Sequence, residues 1–166
     1  MTKAAVLTIS DMGFAGKRED TSGRIAVTML SELLGLADVH SHILPDEQAA
    51  IEETLRRWAD VDRFDLIVTS GGTGISPRDV TPQATANVVD YQVPGMAELM
   101  RAVSIQKTPM AALSRAVVGV RGCTLIVNLP GSPKGVSECL EALMPILPHA
   151  LEQIATGGGH NNPASS

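Results

Sequence analysis

The stretch Asp65–Ala84, DLIVTSGGTGISPRDVTPQA, restricts the fold more than any other part of the chain. It opens on Leu66-Ile67-Val68, an apolar run with the length and branching of a buried strand. Gly71-Gly72-Thr73-Gly74 follows at once. Three glycines in this loop remove the Cβ obstacle and let backbone N–H groups turn toward a ligand. Arg78-Asp79 sets a cation beside a carboxylate, and Thr81-Pro82 has the form of an N-cap followed by Pro at the first helical position. Strand, glycine loop and helix start in this order suit a phosphate, because clustered N–H groups and a helix N-terminus both attract anions. No Gly-Lys-Ser/Thr follows, so this is not a Walker A loop, and it lacks the G-x-G-x-x-G form of a dinucleotide fold.

The flanking sequence repeats the strand-then-helix pattern. Ala4–Ile9 is a first strand, closed by Ser10-Asp11 and a polar loop that ends in Asp20-Thr21-Ser22-Gly23. Apolar residues at 25, 26, 29, 30, 33 and 34 predict a helix from Ser22 that stops at Gly35. Val39–Leu44 is a second strand, with His40 and His42 as strand-face residues rather than metal ligands. A helix to about Ala59 follows Pro45-Asp46-Glu47, and Asp46 is placed to be its N-cap. Further helices are expected over Pro82–Val89 and Pro94–Ile105. Val117-Val118 and Leu125-Ile126-Val127 flank Gly119-Val120-Arg121-Gly122, which reads as a hairpin. Asn128-Leu129-Pro130-Gly131-Ser132-Pro133-Lys134 is a second strand-to-helix loop, with Ser132 as N-cap and Pro133 at the first helical position. Its helix carries Val136, Cys139, Leu140, Leu143, Ile146 and Leu147 inward, and Pro145 and Pro148 should kink or split it. The expected fold is a three-layer αβα sandwich with a mostly parallel sheet and one antiparallel hairpin, in a single domain over 1–156. Residues 157–166, GGGHNNPASS, read as a disordered tail with an inert His160.

Composition sets the remaining bounds. A chain of 166 residues with 44% hydrophobic and 19% charged residues can bury a proper core. Only 2% are aromatic, which removes stacking platforms for bases or flavin and leaves Val, Ile, Leu, Met and Ala to build that core. The net charge is −5 and no basic run is present, so neither nucleic acid nor an anionic membrane is an expected partner. Cys123 and Cys139 lack C-x-x-C spacing and read as thiols in a reducing compartment. No signal region or 18-residue apolar span is evident, and the expected location is the cytoplasm.

Two glycine-bearing loops, carboxylates at Asp46 and Asp79 in strand-end loops, and nearby cations fit nucleotidyl transfer. That chemistry needs N–H donors and cations around phosphates, and carboxylates to hold Mg²⁺. Asp79 has a plain alternative, as a turn residue or an ion pair with Arg78. TSGGTG followed by PRDVTPQAT resembles the signature of the molybdopterin-binding MogA/MoaB/gephyrin G-domain family. Ser10-Asp11 with Asp20-Thr21-Ser22-Gly23, the PDE at 45–47, LSRAVVGVRGCTLIVNLPGSP and the terminal helix extend the likeness from about Lys3 to Ile154. The resemblance implies a molybdopterin adenylyltransferase, in which the terminal phosphate of molybdopterin attacks the α-phosphate of ATP and pyrophosphate leaves. It implies that Asp46 and Asp79 are catalytic and bind Mg²⁺. It also implies that Gly71, Gly72, Thr73 and Gly74 offer N–H groups to phosphate. Ser10, Asp11, Ser114, Pro130, Gly131, Ser132 and Lys134 would line the rest of the site, with Arg115 as an anion contact. A homotrimer and a molybdenum-insertion partner protein are further implications. A non-catalytic pterin-binding module or scaffold in the same pathway is the alternative, with a CinA-like pyrophosphatase and a flavodoxin-like protein as more distant ones.

Overall fold

The computed structural model describes residues 1–157. In chain order, β1 (Ala4–Ile9) leads through one helical turn, α1 (Asp11–Phe14), into α2 (Thr21–Leu34) and β2 (His40–Leu44). The helix α3 (Gln48–Asp60) returns to β3 (Leu66–Ser70), which is followed by α4 (Thr81–Val88), β4 (Tyr91–Gln92) and α5 (Pro94–Ile105). A 3-10 turn (Pro109–Leu113), β5 (Val118–Arg121), β6 (Thr124–Leu129), α6 (Pro133–Leu143) and α7 (Leu147–Ala155) complete it. The strands form one sheet in the order β2-β1-β3-β6-β5-β4. The pairs β1–β2, β1–β3 and β3–β6 are parallel, and β5 pairs antiparallel with both β6 and β4. This is the expected αβα sandwich with its antiparallel hairpin.

Alternation along the strands sorts the core into two layers. Ala4, Val6, Leu66, Val68, Leu125 and Val127 face α2, α5, α6 and α7. Ala5, Leu7, Ile9, Ile67 and Ile126 face the other way, onto Ile51, Leu55 and Trp58 of α3 and Ala84 and Val88 of α4. Both faces are covered, which is why β1, β3 and β6 are buried at every position. The edge strand β2 is different. His40, Ser41 and His42 are exposed, and the His40 ring packs against Trp58 and Phe64 at centroid distances of 5.2 and 5.6 Å.

Several local expectations shift. The N-cap of α3 is Glu47, with no side-chain capping bond, so Asp46 lies just outside the helix. Val80 caps α4, with Thr81 as its first residue and Pro82 its second; the Thr81 hydroxyl turns back to donate to Gly71 O at 2.9 Å. The hairpin turn is shorter than expected. Gly119, Val120 and Arg121 lie in β5, and only Gly122-Cys123 turn, with φ of 55° at Gly122. Gly119 sits in the strand because Val89 and the Tyr91 carbonyl occupy the space of a side chain, which seats the short strand β4 that sequence patterning missed. Ser132 does cap α6, accepting from Gly135 N at 3.1 Å. The two prolines coincide with a break between α6 and α7, although Ile146, expected inside, is exposed there. The tail assigned to 157–166 lies outside the described residues apart from Gly157.

One buried polar side chain ties the sheet to the helices. Asn128 is fully buried and donates to Thr69 Oγ1 at 3.0 Å and to Thr85 Oγ1 at 2.8 Å. Its carbonyl accepts from Val117 N at 3.1 Å. Truncation would leave the half-buried Val117 N–H without this partner and the Thr69 and Thr85 hydroxyls without their buried donor. We expect Asn128→Ala to cost about 2–3 kcal/mol and to lower the melting temperature by roughly 5–10 °C, measured by thermal unfolding.

Candidate active site

The chain passes from β1 to β2 on one side and then to β3 on the other, so the sheet's switch point lies at the C-terminal ends of β1 and β3. Ligands of open α/β sheets bind in such a crevice. A cleft of about 730 Å³ opens there. Ser10, Asp11, Asp46, Gly71, Gly72, Asp79, Gly131 and Ser132, all drawn from the sequence reading, line it. So do Thr8, Asp20 and Ser22, which that reading noted only as part of a pattern or not at all.

The floor of the cleft is backbone. Gly71 and Gly72 adopt φ of 104° and 67°, a region closed to most side chains. The Gly131 and Gly71 backbones meet so closely that a Cβ on Gly131 would stand 3.3 Å from Gly71 Cα. The carbonyls of both loops are held by specific donors. Gly71 O accepts from the Thr81 hydroxyl, Gly72 O from Thr81 N, and Thr73 O from Arg115 N. Gly74 O accepts from Arg115 Nε at 2.7 Å, Pro130 O from the Ser70 hydroxyl at 3.0 Å, and Gly131 O from the Ser22 hydroxyl at 2.6 Å. The N–H groups of Gly72, Thr73, Gly74, Gly131 and Ser132, in contrast, donate to no acceptor among the described residues. Gly71 N–H is spent on Leu129 O at 3.2 Å, so it is not one of the available donors. Loops whose oxygens are occupied and whose N–H groups are free present positive partial charge, the requirement for holding an anion.

Arg115 therefore acts as an organiser of the glycine loop. Its guanidinium donates to Gly74 O, Asp79 O and the Gln83 side chain, so three of its five N–H groups serve the glycine loop and the start of α4. Ser10 caps α1 by accepting from Gly13 N at 3.0 Å. Asp20 caps α2 through Gly23 N at 2.9 Å and accepts from the Thr8 hydroxyl at 2.7 Å.

Asp46 and Asp79 are each half anchored, while Asp11 has both oxygens engaged. Asp46 Oδ2 accepts from Asp11 N at 2.9 Å, and Asp11 Oδ1 accepts from Asp46 N at 3.0 Å. Asp79 Oδ2 accepts from Ser76 N at 3.0 Å. Arg78 passes over its neighbour Asp79 and grips Asp11 with two bonds, Nε to Oδ2 at 3.0 Å and Nη2 to Oδ1 at 2.8 Å. Arg78 holds the Asp11 carboxyl below the ordinary carboxylate range, with the Asp46 N–H adding to the effect. Burial pushes Asp46 the other way, up, reinforced by the Asp11 and Asp79 charges and opposed by the Asp11 N–H.

These opposite directions separate in pH. The stability that goes with a raised Asp46 is full below its unfolded value and is lost as pH rises through the folded value. That of a lowered Asp11 is full above its unfolded value and is lost as pH falls through its folded value. In the window just above the ordinary Asp value, Asp46 alone of this pair changes charge. We expect Asp46→Asn to gain stability relative to the natural protein as pH rises across that window, read from urea unfolding at a series of pH values. A constant difference would contradict the burial of Asp46.

Ser114, Pro130 and Lys134 line a separate, more apolar pocket of about 290 Å³, with Ser132 shared between the two cavities. Met100, Met110 and Cys139 form its walls, and burial pushes the Cys139 thiol up, so it serves as an apolar surface. At its rim the ammonium groups of Lys107 and Lys134 approach one Glu138 carboxylate at 3.7 and 3.9 Å.

The fold and the switch-point cleft define an α/β ligand-binding domain. The family described as "Probable molybdopterin binding domain" matches residues 5–149, and the chain belongs to that family. It is 45% identical over 150 residues to the molybdopterin adenylyltransferase of Helicobacter pylori J99, covering 90% of this chain and 85% of that protein. It is 43% identical over 149 residues to the molybdenum cofactor synthesis protein cinnamon of Drosophila melanogaster, where the match covers 90% of this chain but only 25% of that protein. The crystal structure of the molybdopterin biosynthesis enzyme MoaB from Thermus thermophilus is similar at 52% identity and a TM-score of 0.83, covering 93% of this chain and 96% of that one.

Proposed function

We propose that this protein is a molybdopterin adenylyltransferase acting in molybdenum cofactor biosynthesis. ATP and molybdopterin are its substrates. A phosphate oxygen of molybdopterin attacks the α-phosphorus of ATP, the bond to the β-phosphate breaks, and adenylylated molybdopterin and pyrophosphate leave. The observation that carries the reading is the pairing of the free N–H groups of Gly72, Gly131 and Ser132 with two half-anchored carboxylates, Asp46 and Asp79, across one cleft. The similarity to the Helicobacter enzyme over most of both chains supports it.

In this reading the N–H groups of Gly72, Thr73, Gly74, Gly131 and Ser132 hold phosphate oxygens, and the Ser10 and Ser132 hydroxyls complete the lining. Asp46 and Asp79 would hold Mg²⁺, each with the oxygen its backbone anchor leaves over. Among the described residues no group of three or more His, Cys, Asp or Glu is placed to hold a metal. Two carboxylates with substrate phosphates and water nevertheless suit Mg²⁺, which is seldom held by protein ligands alone. When bound, the ion supplies charge neutralisation at the phosphates. The chain's own residues otherwise position and desolvate, and need form no covalent bond to substrate. The product has two ring systems joined through phosphates. The cleft and the pocket meeting at Ser132 match that shape, with Ser114, Pro130 and Lys134 serving the second ring system.

We further propose a homotrimer in the cytoplasm. Exposed Ile105, Met110 and Leu113, at the end of α5 and the 3-10 turn, offer apolar surface for association. Free Cys123 and Cys139 suit a reducing compartment, and no helix among the described residues is long and apolar enough to cross a membrane. A molybdenum-insertion protein is the proposed recipient of the product.

The test mixes purified protein with molybdopterin, ATP and Mg²⁺ and measures adenylylated pterin and pyrophosphate. Equal formation of both, abolished by chelator, is expected. Tight pterin binding by folded protein with no product would replace the enzyme reading with that of a binding module.

A further inference from the structure

We propose that Arg78 is a positioning residue: by clamping Asp11, it fixes the loop that carries Asp46 and so aims the free Asp46 oxygen into the cleft. The inference rests on the adenylyl-transfer reading for the purpose of that oxygen, but its geometry is independent of it.

Asp11 and Asp46 follow different strands and are 35 residues apart, yet each carboxylate accepts the other's backbone N–H, at 2.9 and 3.0 Å. Such a reciprocal clasp brings two like charges together. It holds best if one of them is neutralised from the outside, because an uncompensated pair of carboxylates repels. Arg78 supplies that charge. Its two bonds to Asp11 use both carboxylate oxygens, the fork geometry that gives an arginine–carboxylate pair directional specificity. Arg78 comes from the segment after β3, Asp11 from that after β1, and Asp46 from that after β2. One guanidinium therefore links the three strand-end loops that border the cleft.

The linkage also determines which Asp46 oxygen is presented. Asp46 Oδ2 is held by Asp11 N, which leaves Oδ1 beside Gly72, where a Cβ would lie 3.1 Å from it. If Asp11 swings away, Asp46 loses both the donor that anchors its side chain and the acceptor that anchors its own N–H. Arg78 and Asp11 are themselves open to solvent, with side-chain exposures of 61% and 43%. An ion pair so exposed adds little to the stability of the fold. Its removal should thus spare folding and damage geometry, which is the signature separating positioning from bulk stabilisation.

The same exposed arginine could instead be a direct phosphate contact, or a surface pair without consequence, and three measurements distinguish these. The variants are Arg78→Gln, Arg78→Lys and, as a control for surface charge, Arg57→Gln, which removes an exposed pair with Asp62 outside the cleft. ATP binding is measured by titration calorimetry without pterin, once across a range of Mg²⁺ and once in chelator, alongside thermal unfolding and kcat and KM for adenylyl transfer. We expect Arg78→Gln to raise the Mg²⁺ concentration for half-maximal ATP binding about tenfold. ATP binding in chelator should change less than twofold and the melting temperature by under 2 °C. Arg78→Lys, which keeps the charge but not the fork, should fall between Arg78→Gln and the natural protein, and Arg57→Gln should match the natural protein.

A Mg²⁺ dependence of Arg78→Gln within twofold of the natural protein overturns the proposal. Equal loss of ATP affinity with and without Mg²⁺ also overturns it, in favour of a direct phosphate contact. If the natural protein binds Mg²⁺ and ATP but forms no product, the enzyme reading fails while the calorimetric comparison still decides the role of Arg78. If it binds neither, both fail.

Discussion

We expect Asp46→Asn and Asp79→Asn each to reduce adenylyl transfer by about 10²- to 10³-fold, the range seen when one preorganised electrostatic group is removed from a site where charge develops. The expected loss is functional rather than structural, and the hydrogen bonds say why. Asp46 accepts from Asp11 N and Asp79 from Ser76 N through one oxygen each. An asparagine keeps a carbonyl oxygen for that bond but loses the negative charge and puts an NH2 group in place of the free oxygen. At Asp46 the charge is disfavoured by burial and by the neighbouring Asp11 and Asp79 charges, so the asparagine variant should be as stable as the natural protein or more so. A residue that lowers activity when neutralised while raising stability is the expected mark of a site where function is kept against folding. Steady-state kinetics and urea unfolding on the same preparations check both halves. Activity within fivefold of the natural protein in either variant removes that carboxylate from the proposed machinery.

The strands and the two glycine-bearing loops were legible in the sequence because their signals are local: apolar runs of strand length, clustered glycines, and Ser132-Pro133 as a helix start. What escaped was set by distant partners. Asp46 has the composition and position of an N-cap, but its carboxylate turns to Asp11 N, 35 residues away, and Glu47 takes the capping position. Arg78 and Asp79 are adjacent and of opposite charge, yet Arg78 binds Asp11 across 67 residues. The pair sits in a tight turn closed by Asp79 N to Ser76 O at 2.9 Å, where neighbouring side chains diverge, and only the fold shows which carboxylate a guanidinium can reach. Thr81 reads as a cap from sequence but lies in the helix, where its hydroxyl secures Gly71 O. The resemblance made Arg115 an anion contact, and the fold adds a role that spacing does not show: three of its N–H groups hold Gly74 O, Asp79 O and the Gln83 side chain. The short strand β4 carries only Tyr91 and Gln92, too few residues for a periodic pattern, and depends on the opening beside Gly119. Ser114 and Lys134 fall in the pocket beside the cleft rather than with the carboxylates, a separation of two lobes that linear spacing does not encode.

Gly71→Ala should be strongly destabilising. Gly71 has a φ of 104°, and a Cβ there would collide with the backbone carbonyl oxygen of Ile9. A side chain can swing away from such a collision, but a carbonyl at the end of a fully buried strand cannot. Relief requires β1 and β3 to separate where Thr8 pairs with Ser70, or the loop to flip and give up the Gly71 N–H bond to Leu129 O. Strained backbone costs about 1–3 kcal/mol and overpacking a rigid site a similar amount, so a total loss of about 3–5 kcal/mol is expected. That corresponds to a fall of about 10 °C or more in melting temperature for a chain of this size. Gly95→Ala supplies the internal contrast. Nothing lies within 4 Å of a Cβ at Gly95, which sits in α5, and the same substitution there should raise stability by up to about 1 kcal/mol by restricting the unfolded chain. Urea unfolding of the two variants side by side tests the argument. A Gly71→Ala variant within 1 kcal/mol of the natural protein would mean that the close approach of β1 to the glycine loop, and with it the floor of the cleft, is not as described.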